Sequence, residues 1–367
     1  MRILFNDLQA QYLDLRADID NAIKNTISSS TFVRGDEVKL FEQEFAKNTE
    51  NKFCISCANG TDALRIAMYA LGIKPGNEVI VPAHTWISTA AMVTESGGKP
   101  IFCDTMLDDF TIDYKQLEKI ITHKTVGIIP VHLFGQPAYM SEIKNFAIKN
   151  NLWVIEDCAQ AHFAKIGNTQ VGQFGDIATY SFYPGKNLGA MGDAGAITTN
   201  NEKLAITIRR FANHGGLVKG EHLIQGINSR LDGIQAAILR VKLNHIFRWH
   251  EKRINLENLY SERLGKYNDI TIPKQRLNTT HAWHLYVIKL ENRDSLKKYL
   301  MDIGIPTLIN YPVALPFLPC FKGRKNQEVS FPNAYYNQSR ILSLPFHPYM
   351  KSEEVSYVCD KIEKFLS

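Results

Sequence analysis

Between residues 52 and 200 the chain alternates short apolar runs with segments of helical periodicity, and this alternation constrains the fold more than any other feature. Apolar runs predict strands at 53–57, 79–81, 100–103, 126–133, 152–155, 177–182 and 194–198. Helical periodicity predicts helices at 61–71, 87–95, 113–121 and 140–149. Nearly continuous apolar strands separated by helices are typical of a mostly parallel sheet covered on both faces. We therefore expect an α/β fold whose ligands bind at the carboxyl ends of the strands.

The pattern changes after this region. Apolar residues at intervals of three or four from Leu231 to His245 predict a long helix, and its charged continuation at 248–266 leads away from the sheet. A strand at 283–290, a helix at 295–301 and a proline-rich stretch at 306–319 follow. The 367 residues suffice for two units of about 150 residues each. We expect a large domain at 1–246 and a smaller C-terminal α/β domain at 247–367.

Composition argues against several classes of function. The 42 basic and 37 acidic residues give a formal charge of +5 without a basic cluster, which disfavours a nucleic-acid partner. No apolar stretch reaches the length of a membrane span, and the start lacks a secretory apolar segment, so a cytoplasmic protein is expected. Cys54 and Cys57 form the one C-x-x-C pair. Because a second pair is missing, we expect core thiols and no metal site.

An anion site is predicted where the helix at 61–71 begins. Gly60 and Thr61 follow a strand, and free N–H groups at a helix start attract an anion such as phosphate, which a small residue and a hydroxyl let approach. An ordinary helix cap by Thr61 or Asp62 is the alternative. The glycines at 185–195 match neither a Walker A loop nor the dinucleotide-binding fingerprint, which disfavours ATP and NAD.

A carboxylate ends the next buried strand. Asp157 terminates the apolar run 153–157, so its side chain is expected at the ligand-binding edge of the sheet. Burial of a carboxylate there is costly unless a positive group meets it. Gln160 offers a donor to the same ligand. The alternative is an acid that caps the next segment or pairs with a structural arginine.

Lys186 follows the strand at 177–182 through a Pro-Gly turn. Most lysines are solvated surface charges, but this one is flanked by Tyr183, Leu188 and several glycines, a setting that desolvates an amine. Desolvation lowers the pKa of lysine, and the neutral amine is the form that attacks a carbonyl carbon. Lys186 is therefore the leading nucleophile candidate.

Together the three motifs match the needs of pyridoxal 5′-phosphate. This cofactor requires a phosphate site, a carboxylate that keeps its pyridine nitrogen protonated, and a lysine for its aldehyde. Trp86, between a predicted strand and a predicted helix, fits either a role in stacking on the ring or a place in the core.

Six segments resemble the DegT/DnrJ/EryC1/StrS sugar aminotransferases, in the order expected for that family. They are NGTDAL at 59–64, PAHTWI at 82–87, EDCAQAH at 156–162, SFYPGKNLG at 181–189, GDAGAI at 192–197 and NSRLDGIQAA at 228–237. The resemblance implies the type I aminotransferase fold and a homodimer in which both subunits build each active site.

The resemblance also implies roles for individual residues. Lys186 would bind the cofactor aldehyde and shuttle the proton, and Asp157 would pair with the ring nitrogen. Contacts with the rest of the cofactor would come from Gln160 at the ring hydroxyl, Trp86 on the ring face, Thr61, Asp62 and Ser181 at the phosphate, and Asn228 of the other subunit.

Within the family, the sequence around Trp86 and the segments 282–288 and 304–312 are similar to enzymes that aminate C3 of dTDP-3-keto-6-deoxyhexoses. The expected reaction takes nitrogen from glutamate and delivers it to the sugar ketone, for a surface polysaccharide or a related glycan. Tyr183, Asn310 and Tyr311 are candidate substrate residues. In that group His usually precedes the Tyr-Pro pair, where this chain has Asn310, and Phe163 replaces a common glycine.

Three alternatives remain open at this point. A C3 aminotransferase of a UDP-linked 3-keto N-acetylhexuronic acid shares the same cofactor motifs. A dehydratase of the family usually carries His in place of the lysine, so Lys186 argues against that reaction. A cofactor-binding regulator would need a DNA-binding element, and the sequence has no basic arm that suggests one.

Overall fold

The computed structural model describes residues 1–321 and 327–367, and its largest element is a seven-stranded sheet. The strands of the chain are β1 (Phe53–Cys57), β2 (Glu78–Pro82), β3 (Lys99–Cys103), β4 (Thr125–Ile128), β5 (Trp153–Asp157), β6 (Lys165–Ile166), β7 (Thr169–Gln170), β8 (Ile177–Ser181), β9 (Gly195–Thr199), β10 (Thr279–Thr280), β11 (Tyr286–Lys289) and β12 (Ile341–Leu344). The large sheet has the order β1-β9-β8-β5-β4-β2-β3, and only β9 runs antiparallel to its neighbours.

Helices cover both faces of this sheet. The helices are α1 (Leu8–Asp14), α2 (Arg16–Ser29), α3 (Asp36–Asn48), α4 (Gly60–Ala70), α5 (Ser88–Glu95), α6 (Leu117–Ile120), α7 (Met140–Lys149), α8 (Glu202–Ala212), α9 (Gly233–Leu243), α10 (Ile246–Leu264), α11 (Arg293–Asp302), α12 (Gln327–Ser330), α13 (Pro332–Gln338) and α14 (Ser352–Leu366). In β9, Ala196 packs in a cluster with α3 and α9, whereas the next residue, Ile197, packs in a cluster with α4 and α8. Successive strand residues point to opposite faces, so this alternation confirms the predicted mostly parallel sheet between two helix layers.

Three of the predicted elements differ from the structure, and one of them, the strand predicted at 283–290, is limited to Tyr286–Lys289. The strand predicted at 126–133 ends at Ile128, because Pro130 lacks the N–H that a continuing ladder needs. Beyond it Val131 forms one isolated bridge with Asp157 and then a short 3₁₀ turn begins. The helix predicted at 113–121 divides into a 3₁₀ turn at Tyr114–Gln116 and the short helix α6.

The C-terminal part has a core of its own, in which β11 and β12 pair antiparallel against α10, α11 and α14. Helix α10 joins the two cores: Trp249 belongs to the cluster beside the large sheet, and Tyr260 belongs to the C-terminal cluster. Ile3 also packs in the C-terminal cluster. A boundary at 247 therefore falls inside a continuous helix, and the division into 1–246 and 247–367 stays a prediction.

Two further expectations concern cysteines and membranes. Cys54 and Cys57 are buried free thiols in β1, as expected for core residues. Within the residues that the structure describes, no helix combines the length and the apolar character that crossing a bilayer requires.

Candidate active site

A cavity of about 600 Å³ opens where β5 and β8 end and α4 begins, and residues of the C-terminal part close its other side. Its lining includes most of the residues singled out from the sequence: Gly60, Thr61, Trp86, Asp157, Gln160, Ser181, Tyr183, Lys186, Asn310 and Tyr311. The carboxyl ends of parallel strands meet at one edge of a sheet, which explains why motifs far apart in sequence come together here.

The start of α4 forms a compact set of donors. A Cβ added at Gly60 would lie 2.7 Å from Cβ of Ser181, so only glycine lets the helix approach β8 this closely. The N–H groups of Gly60 and Thr61 make no hydrogen bond to any described residue, as expected in the first turn of a helix. The hydroxyl oxygens of Thr61 and Ser88 are 2.8 Å apart. The two free amides, the hydroxyls of Thr61, Ser88 and Ser181, and the positive end of the helix dipole together fit a phosphate group.

Two of the predicted residues lie outside the cavity lining. Asp62 is in the first turn of α4, where its N–H donates to Oδ1 of Asn59 at 2.8 Å, which makes Asn59 the helix cap. Asn228 is exposed and forms an isolated β-bridge with Asn213. A phosphate contact by Asp62, and one by Asn228 from a second subunit, stay predictions.

Asp157 projects into the cavity from the end of β5 and is 6% exposed. Burial raises the pKa of its carboxyl group, because the charged form loses its water. Several interactions act in the opposite direction, among them a hydrogen bond of 3.1 Å from the N–H of Ala159 to Oδ1, the charge of Lys186, and a hydrogen bond of 3.2 Å from the hydroxyl of Thr89 to Oδ2. The site therefore holds a carboxylate that a further positive group on the cavity side would stabilise.

A buried network fixes the end of β5 behind Asp157. Glu156 accepts hydrogen bonds of 2.7–2.9 Å from three backbone N–H groups within 172–175 and lies 3.2 Å from Nε2 of His132. Since Nδ1 of His132 accepts from the N–H of Ala138, the proton is on Nε2, which donates to Glu156. Together with Cys158 these residues place three potential metal-ligating atoms within 4.8 Å of one another. The oxygens of Glu156 are already bound by protein donors, so the network serves as a structural anchor.

Gln160 is held by its neighbours in one orientation. Its Oε1 accepts from the N–H of Phe134 at 2.7 Å, which leaves Nε2 to donate to the hydroxyl oxygen of Tyr311 at 3.1 Å. Burial raises the pKa of Tyr311, so its phenol keeps the proton. The ring of Trp86 lies 5.4 Å from the ring of Tyr311 and is 56% exposed. Trp86 is therefore at the cavity rim and not in the core.

Lys186 occupies the turn that follows β8, where its N–H donates to the carbonyl of Tyr183 at 2.8 Å. Burial lowers the pKa of its amine to about 8, although the charge of Asp157 acts to raise it. The loop is fixed from behind: Nζ of Lys242 donates to the carbonyl of Gly189 at 2.7 Å, and Nδ2 of Asn187 donates to the carbonyl of Ala282 at 2.6 Å. An amine with this pKa is neutral in roughly a tenth of the molecules at pH 7, far more than an ordinary lysine, and the neutral form is the one that a nucleophile requires.

The donor set fits pyridoxal 5′-phosphate. Gly60, Thr61 and Ser181 would hold the phosphate, Asp157 would meet the ring nitrogen, and Lys186 would meet the aldehyde. All five residues line the one cavity of about 600 Å³, and their chemistry matches the groups that the cofactor presents.

Sequence reasoning missed several residues of the site. Ser88 and Thr89 lie one turn after Trp86, and their hydroxyls contact Thr61 and Asp157, respectively. Arg253 lines the cavity, although the charged stretch 248–266 looks like a solvated helix face. The two hydroxyl residues directly after the Trp86 motif could have indicated further site residues, whereas nothing in the local sequence marks Arg253.

Comparisons with known proteins agree with this geometry. The model of the DegT/DnrJ/EryC1/StrS aminotransferase family matches residues 13–363. A relative from Streptomyces venezuelae, named dTDP-3-amino-3,4,6-trideoxy-alpha-D-glucose transaminase, is 38% identical and aligns over 99% of this chain and 96% of its own. A Pseudomonas aeruginosa relative, named UDP-2-acetamido-2-deoxy-3-oxo-D-glucuronate aminotransferase, is 37% identical over 97% of this chain and 98% of its own.

A solved structure extends the likeness to three dimensions. The crystal structure of S. venezuelae DesV in complex with a ketimine intermediate superposes with a TM-score of 0.97 at 38% identity, covering 99% of this chain and 98% of that one. The type I aminotransferase fold expected from the sequence is thereby confirmed. With a family model that spans nearly all of the sequence and relatives that align from end to end, the chain belongs to the DegT/DnrJ/EryC1/StrS aminotransferase family, whose enzymes depend on pyridoxal phosphate.

Proposed function

We propose that this aminotransferase transfers nitrogen from glutamate to the C3 ketone of a dTDP-linked 3-keto-6-deoxyhexose. The observation that carries the proposal is the cavity itself, in which Lys186, Asp157 and the donors at the start of α4 form one site beside room for a large substrate. The name of the S. venezuelae relative supports a dTDP-linked amino sugar.

Lys186 is the residue that moves protons in this proposal. Its amine, with a pKa lowered to about 8, takes a proton from the α-carbon of glutamate and later returns a proton to C3 of the sugar. Pyridoxal phosphate, when bound, supplies the electron sink for the electron pair that each departing proton leaves behind.

Other residues bind and orient. Thr89 and the N–H of Ala159 hold the carboxylate of Asp157 in place, where it would pair with the protonated ring nitrogen of the cofactor. The amides at the start of α4 bind phosphate, and the exposed rings of Trp86 and Tyr183 flank the cavity mouth. Asn310 and Tyr311 lie on the opposite side, where they meet the sugar.

A homodimer completes each site in this proposal. Asn228 is exposed and absent from the cavity lining of its own chain, which suits a residue that reaches the phosphate of a neighbouring subunit. Trp86 and Tyr183 are 56% and 58% exposed, and a second subunit would cover them. We place the enzyme in the cytoplasm and its product in surface polysaccharide such as an O-antigen.

A UDP-linked 3-keto N-acetylhexuronic acid is the second candidate substrate. The name of the P. aeruginosa relative favours it, at an identity nearly equal to that of the S. venezuelae relative. Asn310 lines the cavity at the position where C3 aminotransferases of dTDP-sugars usually have His, and its Oδ1 accepts a hydrogen bond from the hydroxyl of Ser343 at 2.9 Å.

The test is a comparison of substrates. Purified enzyme is incubated with ¹⁵N-glutamate and, separately, the dTDP-keto sugar and the UDP-keto uronic acid, and products are identified by mass and NMR. We expect ¹⁵N at C3 of the dTDP-sugar and none with Lys186→Ala. Amination of the UDP-sugar alone would assign the second candidate, and failure of both sugars would refute the proposal.

A further inference from the structure

Arg253 is a buried cation in the cavity wall. It lies on α10, is 4% exposed, and lines the cavity together with His284 and Phe346. Its Nη1 donates to three backbone carbonyls, those of Trp283 at 3.0 Å and of His284 and Phe346 at 3.3 Å. Its Nε and Nη2 make no hydrogen bond to any residue within 1–321 or 327–367. One edge of the guanidinium is thus anchored and another is open.

The charge of this side chain is not balanced by the protein. No carboxylate among the described residues forms an ion pair with Arg253, whose pKa burial lowers to about 9, so it remains charged at neutral pH. His250, His284 and His347 lie close enough for its charge to lower their pKa values further than burial alone does, so all three stay neutral. Asp7, the acid nearest to His347, accepts from the N–H of Ala10 at 2.8 Å. A buried cation without an anion is costly, which indicates that a ligand supplies the anion.

His284 does not serve as an alternative cation. Asn187 donates from Nδ2 to the carbonyl of Ala282, so its Oδ1 faces Nδ1 of His284, 3.0 Å away, and accepts a hydrogen bond from the N–H at that position. The neutral ring therefore carries its proton on Nδ1 and keeps a lone pair on Nε2. Among the described residues of this wall, Arg253 is the group that attracts a negative charge.

We propose that Arg253 binds a carboxylate of the amino donor and so orients it toward Lys186. Lys186, His284 and Arg253 line the same cavity, and the charges of both cations lower the pKa of His284, so both cations act on this part of the cavity. The inference rests on the proposed function, in which glutamate is the donor, because the deoxyhexose itself carries no carboxylate.

A carboxylate fits the open edge of Arg253 better than a diphosphate does. Two parallel N–H groups of a guanidinium match the two oxygens of one carboxylate. The neighbouring wall is apolar, with Phe5, Leu285 and Phe346, and within residues 1–321 and 327–367 this wall has no second cation for the charges of a diphosphate. Diphosphate binding is therefore the competing outcome of the test.

The test measures the two half-reactions separately in the Arg253→Met variant. With the cofactor-loaded enzyme, the KM for glutamate should rise about 100-fold, since a buried charged partner is lost. The reverse half-reaction with the dTDP-amino sugar should keep its KM within about twofold, because that substrate has no carboxylate. Arg263→Met is the matched control on the same helix: Arg263 pairs with Asp360 and Glu363 at the surface, and both half-reactions should be unchanged.

A binding measurement keeps the proposal testable if Arg253→Met does not fold. Calorimetry on the wild-type enzyme should detect glutarate, a dicarboxylate without an amine, and no binding of the neutral glutaramide. Arg253→Lys, which keeps a charge but loses the fork, should weaken glutarate binding about tenfold. Equal affinity for glutarate and glutaramide would overturn the proposal. Two results with Arg253→Met would also overturn it. A loss of activity confined to the sugar half-reaction would assign diphosphate binding to Arg253, and an equal loss of activity in both half-reactions would assign it a structural role.

These outcomes are separate from the fate of the sugar proposal. If the enzyme aminates neither sugar, a raised KM for glutamate in Arg253→Met still supports the carboxylate site. If it aminates a sugar while Arg253→Met leaves the KM for glutamate unchanged, the carboxylate site is refuted and the transamination stands.

Discussion

Lys186 and Asp157 line the same cavity, and the charge of each opposes the effect of burial on the pKa of the other. The charge of Asp157 raises the pKa of Lys186, which burial lowers to about 8, and the charge of Lys186 lowers the pKa of Asp157, which burial raises. The site thereby holds an amine that loses its proton more readily than an ordinary lysine next to an acid whose pKa rises less than burial alone would raise it. A positive ring nitrogen beside Asp157 would stabilise this carboxylate in place of the lysine charge, so that Lys186 could lose its proton without leaving Asp157 unpaired.

The first prediction concerns the reactivity of Lys186 in the cofactor-free enzyme. Competitive acetylation, read by mass spectrometry of peptides, should give half-maximal labelling at about pH 8, with the rate falling about tenfold per unit below it because only the neutral amine reacts. Exposed Lys203 in the same digest is the reference. In Asp157→Asn the midpoint should move to lower pH, since the charge that raises the pKa is gone. A midpoint near that of an ordinary lysine, or an upward shift in the variant, would contradict the assignment.

The second prediction concerns the close approach of α4 to β8. Gly60→Ala places a Cβ 2.7 Å from Cβ of Ser181, so the start of the helix must move away and the free amides lose their alignment. We expect the Kd for pyridoxal phosphate, measured by absorbance titration, to rise at least about tenfold, the equivalent of roughly 1.4 kcal/mol. Gly185→Ala is the control, because its added carbon meets no atom closer than 3.6 Å. Equal affinities for the two variants would show that the helix start does not bind the phosphate.

The third prediction concerns the anchor behind β5. In the native protein the donors around Glu156 bind its two carboxylate oxygens. Glu156→Gln keeps one of these oxygens and replaces the other with an NH₂ group, which then faces N–H donors in the protein interior. The free energy of unfolding in urea should fall by about 3–5 kcal/mol, as for other broken buried charge networks. Glu118→Gln breaks the exposed pair with Lys149 and should cost at most about 1 kcal/mol. Similar losses in both variants would remove Glu156 from the account of how Asp157 is positioned.

The fourth prediction concerns sites shared between two subunits. Lys186→Ala and Asn228→Ala should each be nearly inactive alone. When the two are unfolded together and refolded, hybrid dimers contain one site with Lys186 from one subunit and Asn228 from the other. Activity should then appear in the mixture. If mass spectrometry shows that hybrid dimers have formed and the mixture is no more active than the separate variants, a shared site is refuted.

Much of the large sheet could be predicted because its strands are buried on both faces. The apolar run 53–57 coincides with β1. Asp157 ends β5 and Lys186 follows β8, and both strands end at the same edge of the sheet, so the sequence was sufficient to predict the cofactor site. The strand predicted at 126–133 was too long because apolar character continues past Pro130, where the ladder stops. Apolar periodicity reports burial and not hydrogen bonding, so such ends are poorly marked.

Residues that depend on packing between distant elements were beyond sequence reasoning. Arg253 stands in a charged helical stretch, and only the strands β11 and β12 packed against α10 turn it into a buried group that opens into the cavity. Thr89 contacts Asp157 because the chain enters α5 beside the end of β5. These contacts follow from the tertiary arrangement, which local sequence patterns do not encode.

The measurement that tests the central claim most directly is reductive labelling of the reconstituted enzyme. Wild-type protein and Lys186→Ala are incubated with pyridoxal phosphate, treated with borohydride, digested, and mapped by mass spectrometry. The account predicts one pyridoxyl adduct per chain, on Lys186, and none at that position in the variant. A colourless wild-type preparation, or an adduct on another lysine with Lys186 unmodified, would contradict it.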